Sequence, residues 1–171
     1  MRSQNLKDYK KPSSWNRGAS YFKEILWVII FKPIVSNNIP GTFWRKFLLQ
    51  LFGARIGKYN RLNPGLRVKM PWRLVIGDYC WVGEDTWIDN LNNVQISNNV
   101  CISQGVYFCT GSHNYKKETF DLITKPIFID EQVWIAAKSI IGPGFIIGKS
   151  SIVTMGSIVT KDIPPSSIYK S

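Results

Sequence analysis

From Ile76 onward, apolar residues return every six positions. The chain divides into IGDYCW, VGEDTW and IDNLNN, then, after a two-residue surplus VQ, into ISNNVC, ISQGVY and FCTGSH. After an interruption the beat resumes at Ile129 as IDEQVW, IAAKSI, IGPGFI, IGKSSI, VTMGSI and VTKDIP. Within each block, positions 5, 6 and 1 favour β-structure, while positions 2–4 supply the turn formers Gly, Asp, Asn and Pro. Strand alternation then puts positions 5 and 1 on one face and position 6 on the other. Position 5 is Cys80, Thr86, Val100, Val106, Val133, Ser139, Ser151 and Ser157, and position 1 is nearly all Ile or Val. These two columns suit a narrow interior, in which the position 5 hydroxyls need partners from the turn backbone. Three blocks would close one triangular coil, with coils stacked at roughly 4.8 Å. The prediction is an all-β solenoid, close to one-dimensional.

Position 6 points outward and is apolar: Trp81, Trp87, Tyr107, Trp134, Ile140, Ile146, Ile152 and Ile158. A monomer rarely leaves a contiguous stripe of this kind in water, so the column predicts self-association, with part of it covered by the N-terminal segment. Ahead of the coils, residues 20–36 and 42–52 carry helical spacing of apolar and basic residues, and Gly53 ends the second helix. IGKYNR begins a looser version of the repeat at Ile56, followed by LNPGLR and VKMPWR. The organisation is therefore a basic, aromatic-rich helical segment (1–55), a β-helix (56–165) with an excursion at 114–128, and a short tail (166–171).

Charge sharpens the division. Residues 1–73 hold 15 Lys and Arg against two acids, and residues 74–171 hold 7 against 9, which leaves +13 in front and −2 behind. Such asymmetry suggests an anionic partner for the front: a membrane surface, a phosphorylated carrier or nucleic acid. A merely soluble basic face is the plain alternative. No stacking or groove-reading motif supports nucleic acid. The run ILWVIIF (25–31) has no small-residue cleavage site behind it and is far short of the ~20 residues a spanning helix needs. A helix lying on a surface, of the protein or of a bilayer, fits better. Cys80, Cys101 and Cys109 lack metal-site spacing and read as free thiols of a reducing compartment, which places the chain in the cytoplasm.

With the blocks IGDYCW, IGPGFI and IGKSSI and the closing VTKDIPP, the chain resembles the hexapeptide-repeat acyltransferases. The strings WRLVIGDYCWVGEDTWIDNL, VCISQGVYFCTGSHNY and LITKPI are similar to the colanic-acid and exopolysaccharide O-acetyltransferases within that superfamily. The resemblance covers roughly residues 42–165. It implies a left-handed parallel β-helix, a homotrimer with active sites between subunits, acetyl-CoA as acyl donor and a saccharide as acceptor. It also implies that His113, the only histidine, is the general base after its TG pair. By the repeat register His113 falls at an outward position 6, directly before the excursion, and a long departure from a compact repeat is more often functional than decorative. Neutral imidazole, with a reference pKa near ~6.5, is suited to taking a hydroxyl proton around neutral pH. Direct attack on a thioester creates an oxyanion that needs an N–H or side-chain donor. Cys109 is the rival nucleophile, whereas Cys80 points into the core.

The resemblance assigns the coenzyme groove to Trp134, Ala136, Ala137 and Lys138 of VWIAAK, and to Met155, Gly156, Thr160 and Lys161 of MGSIVTK. Lys161 suits a phosphate, although Ala, Gly and Thr are also what a coil wants. Relatives carry an acceptor-binding Asn where Gly83 stands, so Asp85, Asp89 and Asn90 are the nearest polar candidates. Their C-terminal tail is also absent after SSIYKS. Glu118 and Asp121 follow His113 and read as solvated loop acids rather than as partners of the imidazole. A zinc enzyme would want several histidines per site, so no metal is expected. A non-enzymatic solenoid leaves the excursion at His113 unexplained. Acetylation of an amino sugar or of an antibiotic hydroxyl is the runner-up, and membrane contact through the front segment would suit a lipid-linked acceptor.

Overall fold

The computed structural model describes residues 5–9, 11–12 and 14–171. Arg2 and Lys10 of the basic front lie outside the described residues. From Arg55 the chain winds into a three-faced parallel solenoid, a left-handed β-helix. The first face stacks Arg55–Ile56, Leu74–Ile76, Val94–Ile96, Ile127–Ile129 and Ile146–Ile147. The second runs from Arg61–Leu62 through Trp81–Val82, Cys101–Ile102, Trp134–Ile135 and Ile152–Val153 to Ile168–Tyr169. The third holds Arg67–Val68, Trp87–Asp89, Tyr107–Cys109, Ile140–Ile141 and Ile158–Val159.

The six-residue register is the physical cause of this stack. Position 1 fills the interior: Ile76, Val82, Ile88, Ile102, Phe108, Ile135, Ile141 and Val159 are all at most 1% exposed. Position 5 is buried beside it, and its hydroxyls find carbonyls as expected except at Ser157, which meets the Thr154 hydroxyl at 2.9 Å. Thr86 donates to Gly83, Ser139 to Ala136 or Thr154, and Ser151 to Pro164, at 2.8–3.0 Å. Position 4 takes the left-handed conformation at Tyr79, Asp85, Asn99, Gly105, Gln132, Lys138, Gly144, Ser150 and Gly156. That conformation explains why so many of these are Gly, Asn or Asp. Position 2 approaches the next coil closely. A Cβ on Gly83 would lie 2.5 Å from Gln104 N, so this position cannot present an acceptor-binding side chain.

Three sequence expectations are corrected. The two-residue surplus is not VQ, because Val94 and Gln95 sit in the first face opposite Leu74 and Val75; the extra residues form the corner at 90–93. Position 6 is not one stripe, because the prism has three faces. Trp81, Trp134 and Ile152 share the second face, Trp87, Tyr107, Ile140 and Ile158 the third, and Ile146 lies on the first. Finally, the excursion starts before His113 and ends before Ile127. Gly111–His113 pairs antiparallel with Leu122–Thr124, a hairpin that projects from the corner between the third and first faces. His113 is therefore on the hairpin and not in the coil.

The N-terminal helices plug the open end of the prism rather than covering the outward column. Tyr21–Leu26, Trp27–Phe31 (a π segment) and Lys32–Val35 run on as one helix, and Thr42–Leu51 forms the next. Trp27, Val35, Leu49 and Phe52 join the coil core beneath them. Arg45 is fully buried between the helices and donates to the carbonyls of Val35, Asn37, Ile39 and Gly41. One cation of the basic front is thus a structural tie. Upstream of the helices, an extended arm runs along the corner that carries the hairpin. Asn5 N–H donates to the Glu118 carbonyl, Trp15 Nε1–H to Leu91, and Arg73 to Asn16.

Candidate active site

The hairpin is rooted by Thr110, which is fully buried. Its hydroxyl donates to the Asp89 carbonyl at 3.1 Å and accepts from Asn92 N–H at 3.0 Å, and its own carbonyl accepts from Lys125 N–H at 3.0 Å. Three residues further on, His113 Nδ1 lies 2.8 Å from the Phe120 carbonyl oxygen. A carbonyl only accepts, so Nδ1 carries the hydrogen and Nε2 keeps its lone pair. The imidazole stacks on the Phe120 ring at 4.2 Å between centroids, and the Tyr9 ring meets it edge-on at 6.0 Å. Orientation therefore comes from a backbone carbonyl and two aromatic rings. Glu118 and Asp121 are not partners of the ring, in keeping with the reading of them as solvated acids. Asp121 binds Lys117 Nζ at 2.8 Å and the Thr119 hydroxyl at 2.7 Å, which hold its carboxyl below the usual value.

Two of the three thiols are poorly placed for nucleophilic work. Cys80 is buried and donates to the Ser97 carbonyl at 3.0 Å, and burial pushes its pKa up. Burial also raises that of Cys101. Cys109 Sγ lies 3.1 Å from the Gly111 carbonyl at the hairpin root. Among the described residues all three cysteines are free, and no cluster of His, Cys, Asp and Glu could hold a metal.

Of the three acceptor candidates, only Asp89 stands near the hairpin. It lies beside Cys109 on the third face, paired with Lys69 Nζ at 2.8 Å and accepting from the Tyr107 hydroxyl at 3.2 Å. Burial, with Cys109 and Asp89 nearby, pushes the Tyr107 phenol above its ordinary value. Asn90 is a fully buried strut: its amide accepts from Met70 N at 2.9 Å and donates to Met70 O at 2.8 Å. Asp85 is exposed at a different corner, between the second and third faces, beside Glu84, Pro64 and Asn38. Within one chain, neither of these two lies on the hairpin with His113.

The expected coenzyme residues divide similarly. Trp134, Ala136, Ala137 and Met155 line one groove of about 400 Å³ at the corner between the second and third faces. Gly156 adjoins it, its N–H donating to the Ala137 carbonyl at 2.9 Å, and Lys138 turns the same corner. Thr160 and Lys161 are exposed on the next corner and are not part of this groove. Ser103, Gln104, Ile152 and Thr154 complete the walls and went unrecognised in the sequence. Their signal was the repeat itself: Ser103, Ala136 and Thr154 are position 2 of three coils, and Gln104, Ala137 and Met155 are position 3. The 33-residue step across the excursion hid the stacking of Cys101 on Trp134.

No protein-family profile matches the chain. It is 36% identical over 168 residues, 98% of its length, to an Escherichia coli (strain K12) protein named for colanic acid biosynthesis acetyltransferase activity, WcaF, and spans 92% of that protein. It is 31% identical over 125 residues to the galactoside O-acetyltransferase of the same organism, covering 71% of this chain and 62% of the relative. The fold matches a hexapeptide-repeat acetyltransferase from Vibrio cholerae solved with acetyl coenzyme A, at a TM-score of 0.76 and 25% identity. That match covers 88% of this chain and 85% of the other. A galactoside acetyltransferase solved with coenzyme A gives 0.75 and 25%, over 86% and 75%. This solenoid, with its hairpin histidine and its corner groove, belongs to the hexapeptide-repeat acetyltransferases. Its nearly full-length likeness is to a protein named for colanic acid biosynthesis, and the chain is an acetyltransferase.

Proposed function

We propose that the protein transfers acetyl from acetyl-CoA to a hydroxyl of a bacterial polysaccharide or its lipid-linked precursor, with His113 as general base. One observation carries this reading: the Phe120 carbonyl fixes the tautomer in which Nε2 is free to take a proton. The acceptor hydroxyl loses its proton to Nε2 as its oxygen attacks the thioester carbon. Collapse of the tetrahedral oxyanion expels the coenzyme thiolate, and the imidazolium proton goes to that sulfur. No acyl-enzyme forms in this scheme.

The groove beside Trp134 has the chemistry for a pantetheine arm: small residues at Ala136 and Ala137, and apolar walls from Ile152 and Met155. It lies at a different prism corner from the hairpin, so one chain does not bring His113 onto its own groove. A homotrimer in which each hairpin reaches a neighbour's groove resolves this, and the apolar outer faces supply contact surface.

The N-terminal helices support a position peripheral to the cytoplasmic membrane. Phe43, Phe47 and Leu51 form an exposed i, i+4, i+8 stripe, with Phe43 84% exposed, and Phe22 and Ile29 of the preceding helix are also exposed. No described helix is long and apolar enough to cross a membrane. With the basic excess of the front half, the stripe suits the interface of an anionic bilayer. The deciding experiment is thiol release from acetyl-CoA across neutral sugars, amino sugars and lipid-linked oligosaccharides. Release that depends on a sugar hydroxyl supports the reading, and release only with amines refutes it.

A further inference from the structure

Beside the hairpin lies a cavity of about 340 Å³ that the coenzyme groove does not use. It falls within the range of small-molecule sites, ~300–1,000 Å³, with room for a sugar ring or two. Ser14, Asn16, Arg73, Asn92 and Thr124 give it polar walls, Trp15 an aromatic one, and no acid lines it among the described residues. The walls come from three distant stretches: the N-terminal arm, the corner of the early coils, and the hairpin's return strand.

Register ties this cavity to the catalytic histidine. Leu122 and Thr124 line it, and they pair directly with His113 and Gly111. Directly opposed residues of an antiparallel pair project from the same face, and alternate residues from the other. The His113 side chain therefore leaves the hairpin on the cavity face, whereas Ser112 and Ile123 leave on the opposite one. Tyr9 of the arm touches the imidazole on this side. Arg73 ties the arm to the corner. Its Nη1 and Nη2 donate to the carbonyls of Leu91 and Asn16, at 2.7 and 2.5 Å, while Nε is buried without a hydrogen-bond partner.

We propose that this cavity is the acceptor saccharide site, with the N-terminal arm as its outer wall and the polar side chains of Asn92 and Thr124 facing the sugar beside the Arg73 guanidinium. The proposal rests on the O-acetyltransferase reading and deepens it. It explains how a chain with Gly83 in the early coil recognises a sugar: the polar groups come from the arm and the corner instead. The absence of acids beside Arg73 admits both neutral hexoses and hexuronates.

The test uses the full chain with methyl galactopyranoside, methyl glucopyranoside and methyl glucuronide as probes. Saturation-transfer NMR reads binding, and thiol release reads transfer. Ser14 is exposed, so Ser14→Trp fills the cavity from its rim, and Thr124→Val removes, without changing shape, a hydroxyl that accepts from Asn92 Nδ2 at 3.3 Å. Filling the site should raise the acceptor KM at least about tenfold, and losing one hydrogen bond about threefold. The KM for acetyl-CoA should change far less than that for the acceptor. If Ser14→Trp melts early, Thr124→Val is read alone. Wild-type acceptor KM in a folded variant overturns the site while leaving the acetyltransferase reading intact. Failure of the wild type with every saccharide overturns that reading itself.

Discussion

Arg45→Met replaces a buried guanidinium by a shorter apolar chain. In the wild type, the bond from Nε to Val35 is wholly enclosed at 3.0 Å, whereas those to Gly41, Asn37 and Ile39 are partly open to water. Orphaning the enclosed carbonyl costs about 1–3 kcal/mol, and the three others, which regain water, lose a few tenths to ~1 kcal/mol each. Against this, methionine avoids the desolvation that lowers the Arg45 pKa. The net expectation is a loss of about 2–4 kcal/mol, or roughly 5–15 °C in Tm for a chain of this size. The damage should be local, because a solenoid loses stability element by element. Hydrogen exchange should accelerate across residues 21–51 and stay slow in the coils at 127–159. Melting is compared at fixed protein concentration, since assembly shifts it. A variant melting within a degree of wild type, with unchanged exchange in the helices, would refute the idea that Arg45 ties the cap together.

The same cap should carry the membrane contact: Phe43→Ser with Phe47→Ser is expected to abolish flotation with phosphatidylglycerol vesicles but leave acetyl transfer to a soluble acceptor unchanged, and undiminished flotation counts against it. Tyr107 has a folded-state pKa raised above 10.0, so its contribution to stability is complete below that value and is lost as pH rises beyond it. Urea titrations between pH 8 and 11 should therefore show an alkaline decline that Tyr107→Phe flattens. Gly83→Asn should fail to accumulate as folded protein, because its Cβ would collide with the backbone of Ser103 and Gln104; a stable, soluble variant would contradict the close coil approach.

The solenoid was legible because its constraint is local and repeated. Every six residues the chain must bury one aliphatic residue, so Ile76, Ile102 and Ile141 announce themselves without any distant contact. The helices at 21–35 and 42–51 were equally plain, since apolar spacing and Gly53 bound them. What the pattern concealed was three-dimensional. A periodic string does not say that successive position 6 residues face three directions, so the outward column was read as one stripe. His113 was singled out by its motif but given a coil position, because FCTGSH keeps the beat in letters while the chain departs at Gly111. Asn90 was read as a ligand-facing amide, yet corner backbone at Met70 consumes both of its ends. The arm was the least readable part. Trp15 meets Leu91, and Asn16 meets Arg73, 57 residues away, with no period linking them.

The proton path at His113 is tested most directly by comparing two variants under saturating acetyl-CoA with a responsive saccharide. His113→Ala should lower kcat/KM for the acceptor by about 10²–10⁴-fold while coenzyme binding persists, and Cys109→Ser should turn over at close to the wild-type rate. A Cys109→Ser enzyme that is dead beside an active His113→Ala enzyme would contradict the account and point to an acetylated thiol instead.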